Sequence, residues 1–73
     1  MRGDIETLHK DGKWYNVVEG TDQVSEGFDT KEQAVAEGRA MAQDLKVEHI
    51  IKNLDGKIAE RNSYGNDPRN IPG

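Results

Sequence analysis

Two Asp-Gly pairs do most to limit what this chain can fold into. Asp11-Gly12 separates Ile5-Glu6-Thr7-Leu8-His9 from Trp14-Tyr15-Asn16-Val17-Val18. Asp55-Gly56 separates Val47-Glu48-His49-Ile50-Ile51-Lys52 from Ile58-Ala59-Glu60-Arg61. A tight primed turn needs positive φ, which Gly adopts freely and Asp tolerates. Between β-branched and aromatic residues such a pair signals a hairpin. The sequence predicts two antiparallel hairpins, one at each end of the chain.

Between them lies a helix signal. Thr30 is placed as the N-cap with Gln33 three residues on, the spacing of a capping box. Glu32 suits the positive end of the helix dipole. Ala34, Gly38, Met41, Ala42 and Leu45 recur at helical spacing on one stripe, widened by Val35. Gly38 costs about 1 kcal/mol of helix propensity relative to Ala, a loss that makes sense if the helix sits close to the sheet there. The helix is expected to end near Lys46. Residues 20–29 join the first hairpin to it, with Val24 to Phe28 as a short extra strand and Phe28 packing back on the helix. The predicted fold is α+β, in the order ββαββ: a small antiparallel sheet of two Asp-Gly hairpins with one helix on one face.

At 73 residues, 33% of them hydrophobic and none cysteine, the chain has a thin core and no disulfide to staple it. The strands also look two-faced. Trp14 and Val18 share one parity, Tyr15 and Val17 the other, and Ile50 and Ile51 are adjacent. A sheet covered on one face alternates cleanly. One helix cannot cover both faces, so the second needs cover from the C-terminal segment or from another copy of the chain. A dimer is the favoured expectation.

Chemistry is sparse. His9 and His49 each fall on a predicted strand and are read as exposed strand histidines, too few for a metal site. Ser25 and Ser63 lie in no nucleophile pattern. The turn at Asn53-Leu54-Asp55-Gly56 lacks the ligand series of a calcium loop. No cofactor, metal or catalytic group is expected. No apolar run reaches membrane-spanning length and the N-terminus lacks the apolar core of a signal peptide, so a cytoplasmic protein with no membrane partner is expected. The net charge of −4 disfavours non-specific nucleic-acid binding. Residues 38–73 nevertheless hold six bases against five acids, which keeps a local polyanion site open.

Two candidate surfaces remain. One is the Trp14-Tyr15 pair, with Trp14 read as core and Tyr15 facing the other way. The other is the polar C-terminal stretch with Lys52, Lys57, Arg61, Asn62, Tyr64, Asn66, Asp67 and Arg69, where Gly65 and Pro68 set the path. The stretch reads either as a contact segment or as cover for the second sheet face. The whole chain is expected to be one domain, 1–73, with 65–73 as a looser tail.

These residues carry a resemblance. Trp14-Tyr15-Asn16-Val17-Val18-Glu19-Gly20, Gly38-Arg39-Ala40-Met41-Ala42, Val47-Glu48-His49-Ile50-Ile51, Asp55-Gly56 and above all Glu60-Arg61-Asn62-Ser63-Tyr64-Gly65-Asn66-Asp67-Pro68 resemble a small bacterial domain-of-unknown-function family, number 2188 in that series. Lys52 departs from it, standing where similar proteins often carry His. The resemblance implies a compact strand-strand-helix-strand-strand unit to which the polar tail belongs. It implies no activity and supplies no catalytic residues. The leading expectation is a non-enzymatic, self-associating protein-binding module. The second is a nucleic-acid-binding module using the sheet and the basic C-terminal half.

Overall fold

The computed structural model of the protein describes residues 3–65. Its elements are β1 (Ile5–Lys10), β2 (Lys13–Val18), α1 (Lys31–Leu45), β3 (Glu48–Lys52) and β4 (Ile58–Ser63), the expected ββαββ order. The strands form one sheet in the order β2-β1-β3-β4.

The first hairpin is as tight as its sequence suggests. Lys10 pairs with Lys13 across Asp11 and Gly12, whose φ angles are 52° and 84°. The second is wider. The Asn53 N–H donates to the Lys57 carbonyl at 2.8 Å and the Gly56 N–H to the Asn53 carbonyl at 2.9 Å, leaving Leu54, Asp55 and Gly56 as the loop. Only Gly56 of that Asp-Gly pair has positive φ, 86°. This is the three-residue hairpin geometry, with Gly in the left-handed position. A bulge between the Ile51 and Lys52 pairings adds a residue to β4.

The sheet is mixed, and here the structure corrects the expected purely antiparallel arrangement. Each hairpin is antiparallel, but β1 and β3, side by side in the centre, run parallel. The cause is residues 24–28. They lie antiparallel against the outer edge of β2 through isolated bridges Val17–Val24 and Trp14–Phe28. This extra pass carries the chain to the far end of the sheet before the helix begins. The helix then returns it to the end where β1 starts, and β3 sets off in the same direction as β1. Five residues face four in this pass, as in a bulge. Where the ladder is interrupted, the Ser25 hydroxyl accepts the Asn16 N–H at 2.9 Å.

Thr30 caps α1 as expected. Its hydroxyl accepts the Gln33 N–H at 3.2 Å and its own N–H donates to the Gln33 side chain at 3.3 Å. Lys46 ends the helix in the left-handed conformation, φ 59°. The buried stripe is Ala34, Gly38 and Ala42, with Met41 half-buried. Leu45, expected on that stripe, is exposed, because the stripe turns away from the sheet in the last turn. The helix contacts β1, β2 and β3 and does not reach β4.

Under the helix the sheet presents Ile5, Thr7 and His9 from β1, Trp14, Asn16 and Val18 from β2, and His49 and Ile51 from β3. The expectation of an exposed His49 is corrected: it is fully buried. Its Nε2 lies 2.7 Å from the Thr7 hydroxyl oxygen, and that hydroxyl donates to Asn16 Oδ1 at 2.6 Å. The Thr7 proton being committed to Asn16, the histidine supplies the other, which fixes its Nε2–H tautomer. Asn16 Nδ2 continues the chain to the Ala34 carbonyl of the helix at 2.9 Å. Gly38 sits directly above. A Cβ there would lie 2.5 Å from Asn16 Oδ1, 2.7 Å from His49 Nε2 and 2.9 Å from Thr7 Oγ1. The close approach read from the sequence is real, and what it approaches is a polar cluster.

Candidate interaction surface

Strand alternation decides which side chains the helix leaves uncovered. Its far side carries Glu6, Leu8 and Lys10 from β1, Lys13, Tyr15 and Val17 from β2, Glu48, Ile50 and Lys52 from β3, and Arg61 and Ser63 from β4. The two-faced strands of the sequence are therefore two-faced in the fold. Trp14 and Ile51 point under the helix, Tyr15 and Ile50 away from it.

This face has an apolar half and a charged half. Leu8, Tyr15 and Val17, with Val24 from the edge segment, line a shallow groove of about 390 Å³ whose end is formed by Lys10 and Asp11. Gly27 lies against Tyr15 and Lys13 so closely that a Cβ there would stand 3.2 Å from either. That contact leaves the Tyr15 ring half-buried. Towards β4 the face becomes ionic. Lys52 pairs with Glu6 at 3.4 Å, and Arg61 approaches Glu48 at 3.9 Å. Ile50, only 4% exposed, lies between Glu6 and Arg61 in the ladder. Lys13 binds Asp29 at 2.6 Å. That hydrogen bond, and the attraction between the charges, raises the Lys13 ammonium and lowers the Asp29 carboxyl from their ordinary values.

The sequence candidates thus divide. Tyr15, Lys52 and Arg61 share the helix-free face. Asn62 alternates to the other side of β4, beside His49 in the ladder. Tyr64 follows the strand, half-buried, with its N–H donating to the Val47 carbonyl at 3.2 Å. Gly65 ends the described chain against the helix terminus, where a Cβ would overlap the Lys46 carbonyl. Asn66, Asp67 and the rest of the expected tail lie outside the described residues. His9 and His49 do not meet. His9 packs edge-on against Trp14, ring centroids 5.0 Å apart, while His49 pairs with Ile5 four residues down β1.

The two edges of the sheet differ. Residues 24–28 line the outer edge of β2 with main-chain hydrogen bonds, among them Trp14 N–H to the Phe28 carbonyl at 2.9 Å and Ser25 N–H to the Asn16 carbonyl at 2.8 Å. Among the described residues no strand lines the outer edge of β4, and all six of its residues are exposed.

The Thr7–Asn16–His49 cluster escaped the sequence reading. Its signal was there: Thr7 follows the parity of Ile5, and Asn16 that of Trp14 and Val18. Burial makes the cluster scaffold, since no substrate reaches it. Burial pushes the His49 imidazole below its ordinary value. The Arg39 guanidinium acts in the same direction and Glu60 opposes. Among the described residues no three His, Asp or Glu side chains gather to hold a metal ion. No helix there is long and apolar enough to cross a membrane.

Neither the curated proteins nor the solved structures gave a match to this chain. One family model does match, over residues 5–64, a span that takes in both hairpins, the edge segment, the helix and its buried polar cluster. The chain belongs to the family described as an uncharacterized protein conserved in bacteria (DUF2188).

Proposed function

We propose that this protein is a non-enzymatic cytoplasmic module that self-associates and acts by binding protein. The observation that carries the reading is the unequal finish of the sheet. One edge is lined by an extra pass of chain, while among the described residues nothing pairs with the outer edge of β4, all of whose residues are exposed. Exposed strand edges are templates for another strand, and proteins that remain monomeric cover or blunt them. The apolar groove of Leu8, Tyr15, Val17 and Val24 adds a second surface suited to protein. The absence of cysteine fits a reducing compartment. Sedimentation equilibrium of the full chain at micromolar concentration tests the reading. A dimer mass is expected, and a monomer mass throughout would overturn it.

A nucleic-acid reading is second. It is favoured by Lys10, Lys13, Tyr15, Lys52 and Arg61 all lying on one open sheet face. Three of these bases already face carboxylates, Lys13 with Asp29, Lys52 with Glu6 and Arg61 with Glu48. Little charge is left to neutralise phosphates. Salt-dependent retention of single-stranded oligonucleotides that weakens when Arg61 is changed to Ala would put this reading first.

A further inference from the structure

We infer that β4 is the seam of the dimer: the β4 of a second copy adds antiparallel about a two-fold axis at Asn62 and joins two four-stranded sheets into one. The inference rests on the self-association proposed above and names its surface. The hydrogen bond from the Tyr64 N–H to the Val47 carbonyl shows that position 64 turns its main-chain groups inward to β3. Along an antiparallel ladder this alternates. Asn62 and Glu60 therefore also turn inward, and Arg61 and Ser63 turn their N–H and carbonyl groups out to the open edge.

A two-fold axis through an antiparallel seam keeps each sheet face continuous, so some residue must face its own copy across the axis. Centring on Glu60 opposes two carboxylates, and centring on Arg61 opposes two guanidiniums. Like charges directly opposite are destabilising. Centring on Ala59 falls on the bulge. Centring on Ser63 requires Gly65 to pair, yet Gly65 is held against the Lys46 backbone. The Asn62 register avoids all four problems. It places Arg61 opposite Ser63 of the other copy, twice over, and both are the outward-turned residues that can complete a ladder. Charge, bulge and the held Gly65 together favour the Asn62 register over its neighbours on either side. The helix stops short of β4, so among the described residues the helix does not cover the Asn62 side of the seam.

The natural chain has no cysteine, so single substitutions read the register directly. At the axis, two Asn62 residues would form a non-hydrogen-bonded pair with Cα atoms about 4.5 Å apart, within disulfide range. Mild oxidation of Asn62→Cys is expected to give a covalent dimer in high yield, with Arg61→Cys and Ser63→Cys cross-linking far less. Ser63→Pro removes an outward donor without touching the β3 ladder. It is expected to weaken the dimer about tenfold or more, two hydrogen bonds being lost per dimer, with circular dichroism unchanged. A monomeric wild-type protein would overturn self-association and this inference together. A wild-type dimer whose Asn62→Cys form does not cross-link preferentially, and whose Ser63→Pro form stays as tight, would overturn the seam alone.

Discussion

The Thr7 hydroxyl and His49 Nε2 stand 2.7 Å apart, joined across 42 positions of chain beneath Gly38. Thr7 is both the acceptor from His49 and the donor to Asn16, so one side chain links β1, β2 and β3 under the helix. Replacing Thr7 by Val keeps the shape and removes both bonds. A buried polar group left without a partner costs about 1–3 kcal/mol, and two would be stranded. A loss of about 2–4 kcal/mol is expected in urea denaturation. A double-mutant cycle with Asn16 should show coupling above about 0.5 kcal/mol.

Gly38→Ala sets two effects against each other. Alanine gains about 1 kcal/mol of helix propensity. Its methyl would also stand 2.5–2.9 Å from three polar atoms held by their own hydrogen bonds. Overpacking of this kind costs about 1–3 kcal/mol, before any broken hydrogen bond is counted. Sterics win: the variant is expected to be less stable, with a lower urea midpoint. A higher midpoint would mean that the helix is free to lift from the sheet.

Some of this architecture was legible and some was not, for physical reasons. The cap at Thr30 and the turn at Asp11-Gly12 were readable because their partners lie within three residues. Gly38 was readable as a close contact, though not what it touches. Its neighbours come from three strands, and a hydrophilic residue such as His49 looks solvated until a distant hydroxyl is known to satisfy it. The parallel centre of the sheet was hidden because it depends on residues 24–28, whose short irregular pass carries little alternation. Of the candidate surface, Tyr15, Lys52 and Arg61 were brought to one face by strand parity. Asn62 went to the other for the same reason, although it is adjacent to Arg61 in sequence.

Acid should destabilise the fold through His49. Its folded-state value is depressed below 6.5 by burial, with Arg39 adding and Glu60 opposing. Below pH 6.5 the unfolded chain therefore takes up a proton that the folded chain resists. Stability is present above that pH and is lost as pH falls towards the folded value. The melting temperature should fall on acidification from pH 7 to pH 5. His49→Gln retains a donor near the Nε2 position and cannot titrate. It is expected to flatten this part of the profile, and an unchanged slope would exclude His49 as the cause.

Gly65→Ala probes where the chain leaves β4. A methyl there would overlap the Lys46 carbonyl at the helix end. The expected result is a loss of about 1–2 kcal/mol. Faster amide exchange is expected at Tyr64, whose N–H is bonded to the neighbouring Val47 carbonyl. If Tyr64 remains as protected as in the wild type, the helix end and β4 are not held together at this point.

The extra pass at residues 24–28 also bears on how far association can go. A sheet open at both edges could recruit chain after chain and grow into a fibril. Here the β2 border is already occupied by the protein's own backbone, through Trp14–Phe28 and Val17–Val24. If copies join at β4 as inferred above, the regular strand edges of each molecule are used in that one contact, which favours closure at two over growth.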